Sequence, residues 1–398
     1  MVTNPRTARS EDSSTVSLWF LAFALVSLAL GVLLAIADPR ILDGHYYREP
    51  VFGLTHIFTL GWISMGAMGM LFRLSRLVFG APARTGFWPW TLLALWLTGG
   101  AGIVFHMARG EWFGLWTAGL CAWIGTLVLP VCHPAAIRRA RRGDWIARYC
   151  VAAMAHLVLA ASLGLFIGMN KHLGWVSVNP IALLGAHIHL AIVGWVGCLI
   201  LGVGQKLHPP LAPAKHSRIH PGWRFAGLEL SLAGMIAGFL WLPQLLLPAA
   251  TLGVATLGVH VARPLGRLVR GPRNEPASTW VGVSLLGLLA GALVGWLRLA
   301  GVTSQLGIGA DRADFAYGFL LLFGWITPAM AAFAGKVLPL ILLEVRGEPP
   351  PGTELKRMVS RPLQVVTGLA FGVGAGVLAT GLLLDASPTI RAGTWIYA

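Results

Sequence analysis

Apolar residues fall in eleven long runs, separated by short segments rich in Arg, Pro and Gly. The runs cover 16–37, 51–72, 87–107, 112–133, 147–169, 180–203, 223–242, 244–262, 279–301, 313–335 and 363–385. A helix rising about 1.5 Å per residue needs about 20 such residues to cross the hydrocarbon of a bilayer. The pattern therefore predicts an all-α polytopic membrane protein with about 11–12 transmembrane helices. Polar residues 1–15 are expected to be a disordered cytoplasmic N-terminus, and residues 16–386 a single transmembrane domain. The tail 387–398 is too short to span, so a twelfth helix is absent, truncated or interfacial. The first run has full span length and no small-residue cleavage site, which predicts no cleavable signal peptide.

Composition agrees with this reading: 56% of the 398 residues are hydrophobic and 11% charged, outside the soluble globular class. The net charge of +15 raises the question of nucleic acid, and its distribution answers it. Of 30 Lys and Arg, 23 lie in the N-terminus and the even-to-odd connections, in clusters such as "RLSR", "RRARRG", "KHSR" and "RPLGRLVRGPR". This is the positive-inside pattern, with the N-terminus cytoplasmic and the loops facing anionic lipid of a bacterial-type inner membrane. The expected partner is the lipid bilayer and not nucleic acid. Cys121, Cys132, Cys150 and Cys198 show no CxxC spacing and read as buried small hydrophobes.

Aligned on a Gly-Trp pair, three spans superimpose: "HIFTLGWISMGAMGMLFRL", "HLAIVGWVGCLILGVGQKL" and "FLLLFGWITPAMAAFAGKV". Trp62, Trp195 and Trp325 are 133 and 130 residues apart, and a cation (Arg73, Lys206, Lys336) follows each by eleven residues. A shared pair, a shared cation offset and a near-constant period predict three pseudo-symmetric four-helix units, about 16–136, 147–270 and 279–386. Each cation would snorkel into cytoplasmic head groups.

Five residues before the Gly of that pair stand His56 in the second span and His189 in the sixth, with Phe319 in the tenth. His187 lies about 200° around the helix from His189 and so meets different neighbours. Such histidines serve as interhelical hydrogen-bonding groups or, as ionisable residues inside a membrane, as functional ones. Neutral imidazole is a common iron ligand, and two facing histidines can hold one haem between them.

The stretch "HIHLAIVGWVG", with spacing H-x-H-x4-G-W-x-G, resembles the tenth-helix motif in catalytic subunits of cbb-type haem–copper oxidases. The resemblance implies that His187 ligates a high-spin haem, while His189 and His56 hold a low-spin haem b. It also implies twelve helices in three four-helix arcs. Here the motif sits in the sixth span, and the chain has no His-His pair. A standard copper centre, and four-electron oxygen reduction with it, is therefore not carried over. Membrane haem proteins of the NnrS type, associated with nitric oxide stress, are similar in span number and histidine use. The function implied is electron transfer with binding or reduction of a diatomic gas, nitric oxide or oxygen, served by an electron donor or respiratory subunits. Two alternatives are a non-catalytic haem sensor or assembly partner, and a metal or proton transporter.

His156, mid-span in the fifth run, is the next candidate, as a second-site ligand or distal group. Glu229 is the carboxylate placed in the interior of a span, away from its ends, either as a proton-relay group or paired with Arg224. Asp311, Arg312 and Asp314 read as a solvated turn and Arg298 as a propionate partner, while Tyr317 occupies the repeat position of His187. His106, His45 and His172 read as outer-side residues. His133, His208, His216, His220 and His260 are expected to be solvated among the basic loops.

Overall fold

The computed structural model describes residues 5–42, 45–211, 221–270, 277–345 and 360–397. Eleven helices among them are long and apolar enough to span a membrane: Thr15–Ala37, Glu49–Phe79, Phe87–Arg109, Trp112–Cys132, Trp145–Leu173, Pro180–Leu207, Gly222–Leu240, Pro243–Val269, Ala277–Leu299, Ala310–Pro339 and Arg361–Leu384. Numbered in that order, they match the apolar runs to within a few residues at most ends. The described residues contain no strand, and the protein is an all-α polytopic membrane protein. Local chemistry sets several ends. Asp144 accepts from Ala147 N at 3.1 Å and Asn179 from Ile181 N at 3.0 Å, capping the fifth and sixth spans. Gly174 closes the fifth span at φ 64, a left-handed angle that a side chain resists.

The N-terminal segment corrects one expectation. The first helix runs from Pro5 to Ala37, so polar residues ahead of the apolar run are helical and not disordered. Proline suits a first helical position, and adding residues to an existing helix is cheap compared with nucleating one.

The chain forms two compact units. The first comprises Met1–Ile41, Tyr46–Lys206 and Pro221–Ala249, and the second Leu42–His45, Leu207–His220 and Ala250–Ala398. In the first unit, the second and sixth spans are 61% and 72% buried through their most apolar stretch, and in the second unit the tenth is 67% buried. The other spans reach only 17–39%, so the three Gly-Trp helices are the inner ones of their units. Outer spans instead expose large apolar side chains such as Val26, Leu33, Leu159, Leu230, Leu286 and Val366, a surface suited to lipid.

All three inner helices widen from α to π winding over their Gly-Trp pairs: Ile57–Met65, Leu190–Gly197 and Leu320–Ile326. The residues capping these turns on the N-terminal side are His56, His189 and Phe319. A π turn redirects carbonyls away from the usual ladder, and in hydrocarbon each needs a donor. Trp96 Nε1 donates to Leu60 O (3.1 Å), His156 Nδ1 to Gly194 O (3.3 Å) and Ser284 Oγ to Trp325 O (2.8 Å). The first, fifth and ninth spans lie along the π turns of the spans that follow them. Ser27, His156 and Gly287 on those spans meet the glycines of the three Gly-Trp pairs, Gly61, Gly194 and Gly324. His187 is seated against Gly164, and Tyr317 against Gly295. The three paired segments are thus alike in local geometry.

In the second unit the tail Ser387–Tyr397 is a helix doubled back along the eleventh span. Backbone of Tyr397 meets Gly374 and backbone of Ile390 meets Gly381, so small residues allow close approach. Phe319, Leu320, Leu378, Leu382 and Ile390 form the core beneath it.

Two histidines expected to be solvated are buried. His133 is 1% exposed and His260 is 7% exposed. Proximity in sequence to basic loops misled here, because His133 lies between Phe72 and Phe79, with ring centroids 4.8 and 6.5 Å away. His216 and His220 lie outside the described residues, as do the side chains of His208 and Lys336.

Candidate functional site

The four candidate histidines all belong to the first unit, on the second, fifth and sixth spans. His56 Nδ1 meets Phe52 O at 2.8 Å, and His189 Nδ1 meets Gly185 O at 2.7 Å, each one helical turn back. His187 instead reaches across to the fifth span, where its Nδ1 meets Ala160 O at 2.9 Å. A carbonyl only accepts, so in each ring Nδ1 carries the hydrogen and Nε2 the lone pair. The ring of His189 faces the seventh span, 5.0 Å from that of Phe239. The opposite-face reading of the H-x-H pair thus agrees with the contacts, which lie on the fifth span for one histidine and the seventh for the other.

Trp195 is 1% exposed and its Nε1 donates to Ser64 Oγ at 3.2 Å, tying the sixth span to the second. The other two Gly-Trp tryptophans are buried as well, Trp62 at 5% and Trp325 at 2% exposed.

His156 lies within a separate cluster. Its Nδ1 donates to Gly194 O, and its Nε2 is 3.2 Å from Glu229 Oε2 on the seventh span. Cys198, directly after the π turn, sets its Sγ 3.7 Å from Glu229 Oε1. The ligand atoms of His156, Cys198 and Glu229 lie within 4.8 Å of one another. Cys198 is fully buried, as expected of a small hydrophobe, but its thiol also donates to a carboxylate. Sequence reasoning passed over it. The available signal was that the mid-span polar residues of the fifth and seventh spans both flank the sixth.

Other candidates resolve as structural ties. Arg298 Nε and Nη2 meet Asp314 Oδ1 and Oδ2 at 3.1 and 3.2 Å. Arg312 pairs with Asp385. The charges read as a solvated turn therefore link the ninth, tenth and eleventh spans of the second unit. His106 Nδ1 meets Glu111 Oε2 at 2.8 Å, and Glu111 also pairs with Arg109. Arg109, then His106, hold the Glu111 carboxyl below its usual range.

Imidazoles whose Nδ1 hydrogens are committed to main-chain carbonyls leave Nε2 as the nitrogen able to accept a hydrogen bond or ligate a metal. Comparison with models of known protein families and with characterised proteins matched none to this chain.

Proposed function

We propose that this protein is a membrane haem b protein with a haem–copper-oxidase-like plan, its helices in three four-helix arcs and its N-terminus on the cytoplasmic side of a bacterial-type inner membrane. His56 and His189 would hold one low-spin haem b, and His187 a second centre open to nitric oxide or oxygen. The observation that carries this is the common hydrogen-bond pattern of the three rings, each anchored at Nδ1 by a backbone carbonyl so that Nε2 is the ligand atom. The shared local geometry of the three Gly-Trp segments supports the arcs.

Haem would supply one-electron redox chemistry and, where a coordination position stays open, gas binding. The chain's own residues fix ligand geometry. Phe52, Gly185 and Ala160 carbonyls hold the imidazoles in one tautomer and increase their basicity, as second-shell acceptors do at metal sites.

The absorption spectrum of detergent-purified protein tests the reading. A Soret band with sharp reduced low-spin bands is expected, and its absence rules the reading out. His189→Ala should abolish those bands, and their persistence refutes the ligand assignment. His187→Ala should abolish carbon monoxide binding while leaving the low-spin bands. The 3.2 Å approach of His156 Nε2 to Glu229 Oε2 favours a second reading, a proton or metal transporter, which predicts no porphyrin.

A further inference from the structure

We propose that His156, Cys198 and Glu229 form a binding site for a divalent metal of the zinc class, separate from the haem ligands and independent of that reading. The three residues come from three consecutive spans, the fifth, sixth and seventh, and offer nitrogen, sulfur and oxygen. His156 Nδ1 donates to Gly194 O, a carbonyl of the π turn, so the Nε2 of the neutral ring is an acceptor. That acceptor stands 3.2 Å from a carboxylate oxygen, also an acceptor. A cation has to lie between them, either a proton or a metal.

Three features favour the metal. The first is spacing. Tetrahedral zinc with bonds of about 2.0–2.3 Å sets its ligand atoms about 3.3–3.6 Å apart. The observed 3.2 Å from nitrogen to oxygen and 3.7 Å from sulfur to oxygen are close to those edges. The second is charge. When metal binding displaces the thiol proton, thiolate and carboxylate together cancel the charge of a divalent ion and leave a neutral assembly at membrane depth. The third is orientation, since the Gly194 carbonyl fixes the ring as a second-shell partner does. With three protein ligands, the fourth position is left for water or an exogenous ligand.

The experiment loads the whole purified protein with one equivalent of Zn2+ and reads zinc retention by equilibrium dialysis and the zinc K-edge X-ray absorption, which haem iron does not obscure. One retained zinc per chain is expected, with one sulfur at about 2.3 Å and nitrogen or oxygen neighbours at about 2.0–2.1 Å. Cys198→Ser should remove the sulfur shell, and Cys121→Ser, in the fourth span, should keep it. His156→Ala and Glu229→Gln should each weaken retention by more than the ~10–100-fold that loss of a supporting group costs. Failure of wild-type protein to retain zinc, a shell without sulfur, or a sulfur shell surviving in Cys198→Ser would overturn the proposal and leave a protonated His156–Glu229 pair. None of these outcomes depends on a Soret band, so the two proposals fail separately.

Discussion

His133→Phe should make the protein markedly less sensitive to acid. His133 immediately follows the fourth span and is 1% exposed, packed against Phe72 and Phe79. The hydroxyl of Ser75 donates to Leu71 O at 2.6 Å, so the 3.0 Å contact between Ser75 Oγ and His133 Nδ1 has the ring donating. Nε2 is then a buried acceptor, and no hydrogen-bond partner among the described residues meets it. Burial holds this imidazole down to about 3, against 6.5 for an ordinary histidine. As pH falls from 6.5 towards 3, the unfolded chain takes up a proton that the folded one refuses. Folded stability therefore falls through that window, and above pH 6.5 the contribution is fully present. At about 1.4 kcal/mol per pH unit, the whole window amounts to about 4–5 kcal/mol. Phenylalanine suits the aromatic surroundings and cannot titrate. Unfolding measured in detergent at pH 7 and pH 4.5 should show the wild type losing about 2–3 kcal/mol more than the variant. Parallel losses in the two proteins would show that His133 is already protonated or solvated.

The second large effect is expected from Gly287→Ala. A Cβ at this position of the ninth span would sit 2.0 Å from Gly324 O and 2.2 Å from Gly324 C, in the tenth. Those atoms are backbone inside a π turn and cannot swing aside, so the two helices must part. Parting them also stretches the 2.8 Å bond from Ser284 Oγ to Trp325 O and loosens Trp325, which is 2% exposed. Overpacking costs about 1–3 kcal/mol or more, and a lost buried hydrogen bond about 1 more. Helix propensity alone would favour alanine by about 1 kcal/mol, so the expected sign opposes propensity. Gly376→Ala is the control, because no atom approaches within 4 Å of a Cβ there. Thermal unfolding should show a clear drop for Gly287→Ala and none for Gly376→Ala. Equal behaviour would refute the close approach.

The sequence legibly encodes the spans because each is decided by its own run of residues. Eleven apolar runs predicted eleven helices, and ends such as that of the fifth span follow from Asp144 and Gly174. The Gly-Trp pairs were legible as repeated letters, and they turned out to mark the three π turns. Winding itself was not legible, since a π turn survives only where a donor from another helix reaches the displaced carbonyl. Trp96, His156 and Ser284 supply those donors from other spans, at distances in sequence that no local pattern reports.

The same division runs through the candidate site. His56, His187 and His189 stood out because ionisable residues are costly in hydrocarbon, and the angle between the H-x-H rings follows from helix geometry alone. What each ring meets is a property of packing: Ala160 and Gly164 for His187, Phe239 for His189. Cys198 read as one apolar residue among many until the seventh span brought Glu229 to it. His133 read as solvated until Phe72 and Phe79 enclosed it. The sequence by itself determined the eleven apolar spans, most of their approximate ends and which costly residues they carry, because those depend on short stretches of chain meeting lipid. Only tertiary structure decided which polar groups are paired, since in a medium without water a polar side chain takes its partner from whichever helix lies beside it.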